Sequence, residues 1–309
     1  MLIFLPYIIW HMSKDMIVLE YYKNYAAGKA AGTNPVDFLL NHVLSLNPLS
    51  LPLWALGIYY FLFNKDGKKY NLISFVFIFV STLSLLTKTK YYLVSPFFPV
   101  LFAGGAVVIE KFVMDDKKHV RWIALSYFVL LFLTGVFILP MARPVLSVDN
   151  YIKYSNLLKL DKQLKVENHA VTILPQFYAD RFGWLELTLK IKKAYDRLPD
   201  EEKKKCAIVV ENYGEAGAIE YYGKKYGLPK PVCGHLQYFI WGDRGYTGEI
   251  SIILGRNESE LLDFFDSVIL TDKTYNKFAM PYENNRPIYL CRGAKIPLKK
   301  VFSKIRNLN

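Results

Sequence analysis

Long runs of apolar residues fill the first half of the chain, and four of them predict membrane-spanning helices. A helix needs about 20 mostly apolar residues to cross a bilayer. These runs carry no charge at their centres and lack the polar face, at 3.6-residue spacing, of a soluble core helix. The predicted spans are residues 46–63, 71–87, 91–113 and 122–140.

The opening stretch MLIFLPYIIW is apolar but too short to span a bilayer. It also lacks the basic start and the cleavage site of a signal peptide. We interpret it as the end of a further spanning helix, and we expect the chain to be a fragment or a shortened open reading frame. The prediction is therefore about four complete transmembrane helices plus a partial one.

Residues 34–46 predict an amphipathic helix that lies on the membrane or roofs a cavity. Asn34 is a suitable N-cap, and Pro35 fits the first helical turn. The apolar positions recur at helical spacing on one face. They are Val36, Leu39, Leu40, Val43 and Leu44.

Beyond residue 140 the pattern changes to alternating strands and helices. The predicted helices are GWLELTLKIKKAYDRL, GEAGAIEYYGKKYG and ESELLDFFD, and the predicted strands are AVTIL, CAIVVEN, ISIILG, SVIL and PIYLC. This alternation predicts an α/β domain with a mostly parallel sheet. We therefore expect a transmembrane domain over residues 1–145 and a soluble extracytoplasmic domain over residues 146–309.

Loop charge sets the expected orientation, because short cytoplasmic loops are rich in Lys and Arg. Two basic loops, NKDGKKY and EKFVMDDKKHVR, fall on the same side of the predicted spans and should be cytoplasmic. The turn at residues 88–90 and everything after residue 140 then lie outside. Lys88 and Lys90 break this charge pattern, which indicates a role other than topology.

The formal net charge is +12 at pH 7. This excess has no nucleic-acid motif beside it, so it favours contact with anionic lipid or phosphate over nucleic acid. The three cysteines, Cys206, Cys233 and Cys291, lack metal-ligand spacing, and the sequence supports neither a divalent metal nor a disulfide framework. Buried free thiols are the favoured interpretation, and a single disulfide remains an alternative.

Polar residues follow the predicted strand CAIVVEN, where α/β domains commonly bind ligands beside helix N-termini. Glu211, Asn212, Tyr213 and Glu215 are therefore candidate ligand contacts. The alternative is that Glu211 and Asn212 cap the following helix and do nothing more. The absence of GxGxxG and GxxxxGK[ST] patterns argues against a nucleotide.

Several motifs together resemble one enzyme family. LPQFYADRFGW, VVENYGEAGAIEYYGKKYGLP and GHLQYFIWG resemble the extracytoplasmic domain of bacterial family 39 glycosyltransferases. PLWALGIYYF and KTKYYLVSPFFPVLFAGGAVVIEKF are similar to later membrane helices of that family. The family is related to dolichyl-phosphate-mannose protein mannosyltransferases and to lipid A aminoarabinose transferases.

The resemblance implies a bacterial inner-membrane enzyme that moves a sugar from a polyprenyl-phosphate donor to a glycan, lipid or protein acceptor outside the cytoplasm. In that family an aspartate of the first extracytoplasmic loop acts as the base. We expect this loop to be missing from the chain, and neither Asp15 nor Asp37 is assigned its role.

With this resemblance, the turn before the third predicted span is interpreted as the site of the donor phosphate. Ammonium and hydroxyl groups supply charge-assisted hydrogen bonds to a phosphate, and prolines let the chain leave helical form there. The alternative is that the lysines extend to lipid headgroups and the tyrosines form an aromatic belt. The candidate residues are Lys88, Lys90, Tyr91 and Tyr92, followed by Pro96 and Pro99.

Aromatic and charged residues of the soluble domain are candidate sugar contacts, with domain packing as the alternative and the favoured interpretation for Trp184. They are Tyr178, Asp180 and Arg181 in YADRFGW, and His235 and Trp241 in GHLQYFIWG. The main alternative function is a membrane-anchored binding or sensing module without catalysis.

Overall fold

We describe the chain from a computed structural model over residues 2–28, 35–87, 91–115, 118–158 and 173–308. The contacts divide the chain into two compact units. One contains Met1–Tyr21 and Ile152–Asn309, and the other contains Tyr22–Tyr151. The predicted domain limits at 1–145 and 146–309 stay predictions.

The first part of the chain is helical. Its α-helices are α1 (Leu5–Met12), α2 (Ile17–Gly28), α3 (Pro35–Ser45), α4 (Leu51–Phe63), α5 (Leu72–Leu86), α6 (Phe98–Asp115) and α7 (Lys118–Ala142). A 3-10 helix, Tyr91–Phe97, leads into α6. The predicted cap Asn34 lies outside the described residues.

Two segments of the described chain are long and apolar enough to cross a membrane, Tyr92–Met114 and Arg121–Ala142. A third is possible only if α3 and Pro48–Phe63, bent by 97°, form one broken span. α5 has 15 residues, fewer than a bilayer needs. The expected count of four complete spans plus a partial one is therefore not confirmed.

The bend before α4 has a local cause. Asn47 has a positive φ of 87°, and prolines follow at residues 48 and 52, so the helix cannot run on through this point. The side chain of Asn47 donates to the backbone oxygen of Leu131 at 3.1 Å and to Thr134 Oγ1 at 3.0 Å. These bonds tie the Asn47 amide to α7, and its oxygen accepts from the Leu49 backbone N–H at 3.1 Å.

Glycines allow α4 and α6 to pack with their backbones in contact. A Cβ on Gly57 would lie 1.9 Å from the Leu101 carbonyl oxygen, and one on Gly105 would lie 1.8 Å from that of Leu53. At one end of these helices, Lys111 pairs with Asp66. The two basic loops therefore lie at the same end of this helical unit.

The second part of the chain combines helices with a five-stranded sheet. Its helices are α8 (Val148–Leu158), α9 (Gln176–Ala179), α10 (Trp184–Asp196), α11 (Asp200–Lys203), α12 (Tyr213–Gly223), α13 (Gln237–Ile240), α14 (Glu258–Leu262) and α15 (Leu298–Val301). Its strands are β1 (Cys206–Val210), β2 (Val232–Cys233), β3 (Ile250–Leu254), β4 (Phe265–Lys273) and β5 (Pro287–Ala294).

The strand order is β2-β1-β3-β5-β4, and the sheet is mixed. β2, β1 and β3 run parallel, whereas β5 is antiparallel to both β3 and β4. The prediction of a mostly parallel sheet is thus not confirmed. The physical reason is that no long crossover helix lies between β4 and β5, so β5 returns beside β4 in the opposite direction.

Most strand predictions correspond to observed strands, with two differences. Of AVTIL, residues 170–172 lie outside the described residues, and Ile173 and Leu174 form a bend. The two-residue strand β2 has no predicted counterpart because it is too short to show a pattern. The sheet and the helices α10 and α12 bury a shared apolar core. Its members include Ile191, Ile208, Ile219, Ile252 and Leu254.

Candidate functional site

The expected phosphate-binding turn is described only in part. Lys88 and Lys90 lie outside the described residues, so their role stays a prediction. Tyr91 begins the 3-10 helix, and the side chain of Tyr92 is 45% exposed. Pro96 lies inside this 3-10 helix and Pro99 in the first turn of α6, so the chain departs from α-helical geometry near the prolines but stays helical.

Helix α3 packs on this 3-10 helix and on the start of α6. Phe38 and His42 are buried, and the His42 ring lies 5.8 Å from that of Phe98, measured between centroids. His42 Nδ1 is 2.8 Å from the Phe38 carbonyl oxygen. Four residues of the predicted apolar face are instead exposed: Val36, Leu39, Leu40 and Leu44. An outward apolar face of this kind is typical of a helix in a membrane interface.

In the C-terminal unit, charged residues converge where β1 ends. Arg286 Nη2 donates to Glu211 Oε2 at 2.6 Å, and Arg286 Nε lies 2.8 Å from Glu215 Oε1. Arg256 Nε lies 3.0 Å from the other oxygen of Glu211. Two arginines from different loops thus neutralise one carboxylate at the carboxyl end of the strand.

The residues next to Glu211 form the cap of α12. Asn212 Oδ1 accepts from the Glu215 backbone N–H at 2.9 Å, and Glu215 Oε2 accepts from the backbone N–H groups of Glu211 and Asn212. This reciprocal arrangement is a capping box. Asn212 therefore has the capping role considered from the sequence, and Glu215 completes the cap. The Glu211 side chain, the other cap considered, instead pairs with arginines.

The loop between β4 and β5 contributes a second group of polar contacts at this edge. Tyr282 OH donates to Asp180 Oδ1 at 2.8 Å, and Asn212 Nδ2 donates to Glu283 Oε1 at 3.4 Å. The backbone of Asp180 also accepts from Trp184 Nε1 at 2.6 Å. This loop brings Asp180 into the same polar network as Asn212.

Burial changes the acidity of several of these groups. It raises the pKa of Glu215 to about 7, although the neighbouring Arg286 opposes the shift. Burial likewise raises the pKa of Glu283, and burial together with Asp180 raises the pKa of Tyr282. For Arg286, the carboxylates of Glu215 and Glu211 outweigh the effect of burial, so its pKa is raised.

The other candidate contacts differ from one another in burial and in their partners. Tyr178 is buried and Arg181 is exposed. Tyr213 is half-exposed, with its ring 4.9 Å from that of the buried His235. Trp241 lies instead against Tyr238, at 4.6 Å between ring centroids, and carries the guanidinium of Arg244 over its ring at 4.9 Å.

We call the group of charged and polar residues at the carboxyl end of β1 the charged edge. Four of its residues have no counterpart among the sequence predictions: Arg256, Tyr282, Glu283 and Arg286. Arg256 follows the strand β3 by two positions, so its place at a strand end was a usable signal. The other three come from the loop before β5, whose return to the carboxyl ends depends on the antiparallel pairing.

A cavity of about 180 Å³ opens beside the charged edge. Glu211, Gly234 and Arg256 line it, one from the end of each parallel strand, together with Ile253 and Ile305. Among the described residues, no group of three or more His, Cys, Asp or Glu side chains is placed to hold a metal. The three cysteines are buried free thiols.

A comparison of the chain with protein-family models, with curated proteins and with solved structures found no match.

Proposed function

We propose that this protein is an integral membrane glycosyltransferase that uses a polyprenyl-phosphate-linked sugar as donor. The acceptor is a glycan, lipid or protein outside the cytoplasm. The motif resemblance suggests the reaction, and one structural arrangement supports the donor site. That arrangement is the packing of α3 on the 3-10 helix Tyr91–Phe97, which follows the Lys88–Lys90 turn in the chain.

This arrangement suits the headgroup of a lipid. The exposed apolar residues Leu39, Leu40 and Leu44 of α3 can rest among acyl chains near the surface. The 3-10 helix Tyr91–Phe97 then begins at the level of the headgroups, where backbone groups left unbonded at its start can be satisfied. Lys88 and Lys90 immediately precede it and are available in the chain to meet a phosphate.

The proposed chemistry needs positive charge at the leaving group. Attack of the acceptor hydroxyl on the anomeric carbon breaks the bond to the carrier phosphate, on which negative charge develops. The ammonium groups of Lys88 and Lys90 would stabilise that charge in the transition state. No residue of this chain is assigned as the base.

The proposal includes a membrane topology. Residues 46–63 and 71–87 complete four spans in a bacterial inner membrane, and the C-terminal unit lies outside the cytoplasm. The basic loops that contain Asp66 and Lys111 face the cytoplasm, which agrees with their location at one end of the helical unit. The turn at residues 88–90 then lies at the outer surface.

Photo-crosslinking to a donor analogue tests the site without requiring turnover. Membranes that contain the full chain are irradiated with diazirine-labelled polyprenyl phosphate mannose. The double variant Lys88→Ala/Lys90→Ala should label at least about tenfold less, because it loses charge-assisted hydrogen bonds of roughly 1.5 to 3 kcal/mol.

The matched control is Lys68→Ala/Lys69→Ala, which removes the same charge from the loop between α4 and α5 and should label like the parent chain. If both double variants label as strongly as the parent, the lysines do not bind the phosphate. That result would favour the alternative in which the helices only anchor a binding or sensing domain.

A further inference from the structure

The cavity at the carboxyl ends of β1, β2 and β3 has features of a ligand site in the C-terminal unit. We propose that it binds a small oxyanion, a carboxylate or phosphate group, through the guanidinium of Arg256. This site is separate from the proposed donor-lipid site and does not depend on it.

The first argument is the geometry of Arg256. Arg256 pairs with Glu211 through its Nε atom, 3.0 Å from Glu211 Oε1. Within the described residues this ion pair leaves both Nη groups of Arg256 for another partner. The planar fork of the two Nη groups matches the paired oxygens of a carboxylate or phosphate. Because Arg256 is a lining residue and its side chain is 42% exposed, a ligand can reach it.

The second argument is the charge behind Arg256. Glu211 alone would repel an anion, but Arg286 Nη2 already donates to its other oxygen at 2.6 Å. Arg286 also pairs with the fully buried Glu215, whose pKa burial raises to about 7. The carboxylate of Glu211 is therefore shared by two guanidinium groups, which offsets its repulsion of an anion at the Nη groups of Arg256.

The third argument is the size and the enclosure of the site. A volume of about 180 Å³ is more than one water molecule needs and leaves room for a phosphate or a short carboxylate. The C-terminal segment closes one side, since the Asn307 backbone N–H donates to the Gly234 oxygen at 2.8 Å. Gly234 has no room for a side chain, because a Cβ would lie 1.8 Å from the Ile305 oxygen.

Calorimetric titration of the full chain in phosphatidylcholine nanodiscs tests the site. Inorganic phosphate and acetate are the probes, and glucose is the neutral comparator. Arg256→Gln should weaken phosphate binding by about 10- to 100-fold, the loss expected for hydrogen bonds to a charged group. Arg256→Lys keeps the charge but loses the fork, so it should bind with intermediate affinity.

The control variant is Arg244→Gln, which removes another arginine of the same unit that pairs with a carboxylate, Glu220, at 3.1 Å. It should bind phosphate like the parent chain. Hydrogen exchange of the β1 and β3 amides establishes that each variant keeps its fold. Equal weakening by Arg244→Gln and Arg256→Gln would overturn the proposal, as would binding of glucose in place of the anions.

The source of the anion is distinguished by a second set of nanodiscs that contain phosphatidic acid. If the natural ligand is a lipid headgroup, phosphatidic acid should compete with inorganic phosphate in the parent chain. If the ligand is a soluble metabolite, the phosphate affinity should not change. If neither phosphate nor acetate binds at concentrations up to about 10 mM in either kind of nanodisc, the proposed anion site is wrong.

Discussion

Arg286 Nε lies 2.8 Å from Oε1 of Glu215, whose side chain is fully buried. The same arginine reaches Glu211 with its Nη2 atom. Arg286 comes from the end of the β4–β5 loop, whereas both glutamates flank the start of α12. A single cation therefore ties the loop before β5 to the end of β1 and the start of α12.

Removal of this cation should destabilise the C-terminal unit strongly. Above about pH 7, where the Glu215 carboxylate is mostly ionised, Arg286→Met leaves this buried charge without its cation. Breaking a buried pair in this way typically costs about 3 to 5 kcal/mol. Hydrogen–deuterium exchange of the full chain should show faster exchange in β1 and β3. Arg244→Met breaks a more exposed pair and should cost about 1 kcal/mol or less. Similar effects of the two variants would contradict this role of Arg286.

Glu215 should make stability depend on pH. Burial raises its pKa from the usual 4.5 to about 7, so between these values the folded chain binds more protons than the unfolded chain. The free energy of unfolding should then fall by about 3 kcal/mol as pH rises through this window. The contribution is fully present below pH 4.5 and is lost above about pH 7.

Glu215→Gln is the matched variant, because a glutamine can still close the capping box but does not titrate. Thermal melting of both chains at several pH values measures the effect. The parent should lose stability relative to the variant as pH rises from 4.5 to about 7. Glu283 shifts in the same direction but is present in both chains. Parallel melting profiles would show that Glu215 does not control the pH response.

The contact between α4 and α6 should not tolerate a methyl group. In Gly57→Ala the new Cβ would meet the Leu101 carbonyl oxygen at 1.9 Å, so the two backbones must move apart. Overpacking of this kind costs about 1 to 3 kcal/mol or more. Gly135→Ala is the control, because its nearest neighbour, Asn47 Nδ2, is 3.9 Å away. Thermal melting in detergent should show a clear loss for the first variant only.

The three cysteines should resist alkylation in the folded chain. Cys206, Cys233 and Cys291 are buried, and burial raises the pKa of each thiol to about 12. The reactive thiolate is therefore scarce and inaccessible at neutral pH. Mass spectrometry after treatment with N-ethylmaleimide should find all three unmodified until a denaturant is added. Rapid modification of any of them under native conditions would disprove this burial.

Several features of the fold were predictable because they depend on neighbours along the chain. The apolar runs indicated helices long enough for a membrane, and the strands β1, β3 and β5 were visible as short runs of β-branched and aliphatic residues. The cap of α12 was readable from Asn212 and Glu215, since a capping box is set by a spacing of three residues.

The sequence by itself determined the apolar and polar segments, and hence a helical part followed by an α/β part. Only the tertiary structure decided that the chain bends at Asn47, between α3 and α4. It also decided that the sheet is mixed and that Arg256 and Arg286 meet at Glu211. The contacts of Asn47 and of the two arginines join residues 45 to 87 positions apart, and the β3–β5 pairs join residues 34 to 42 positions apart. Local patterns do not encode such pairings, because the partners meet only when whole strands and helices pack.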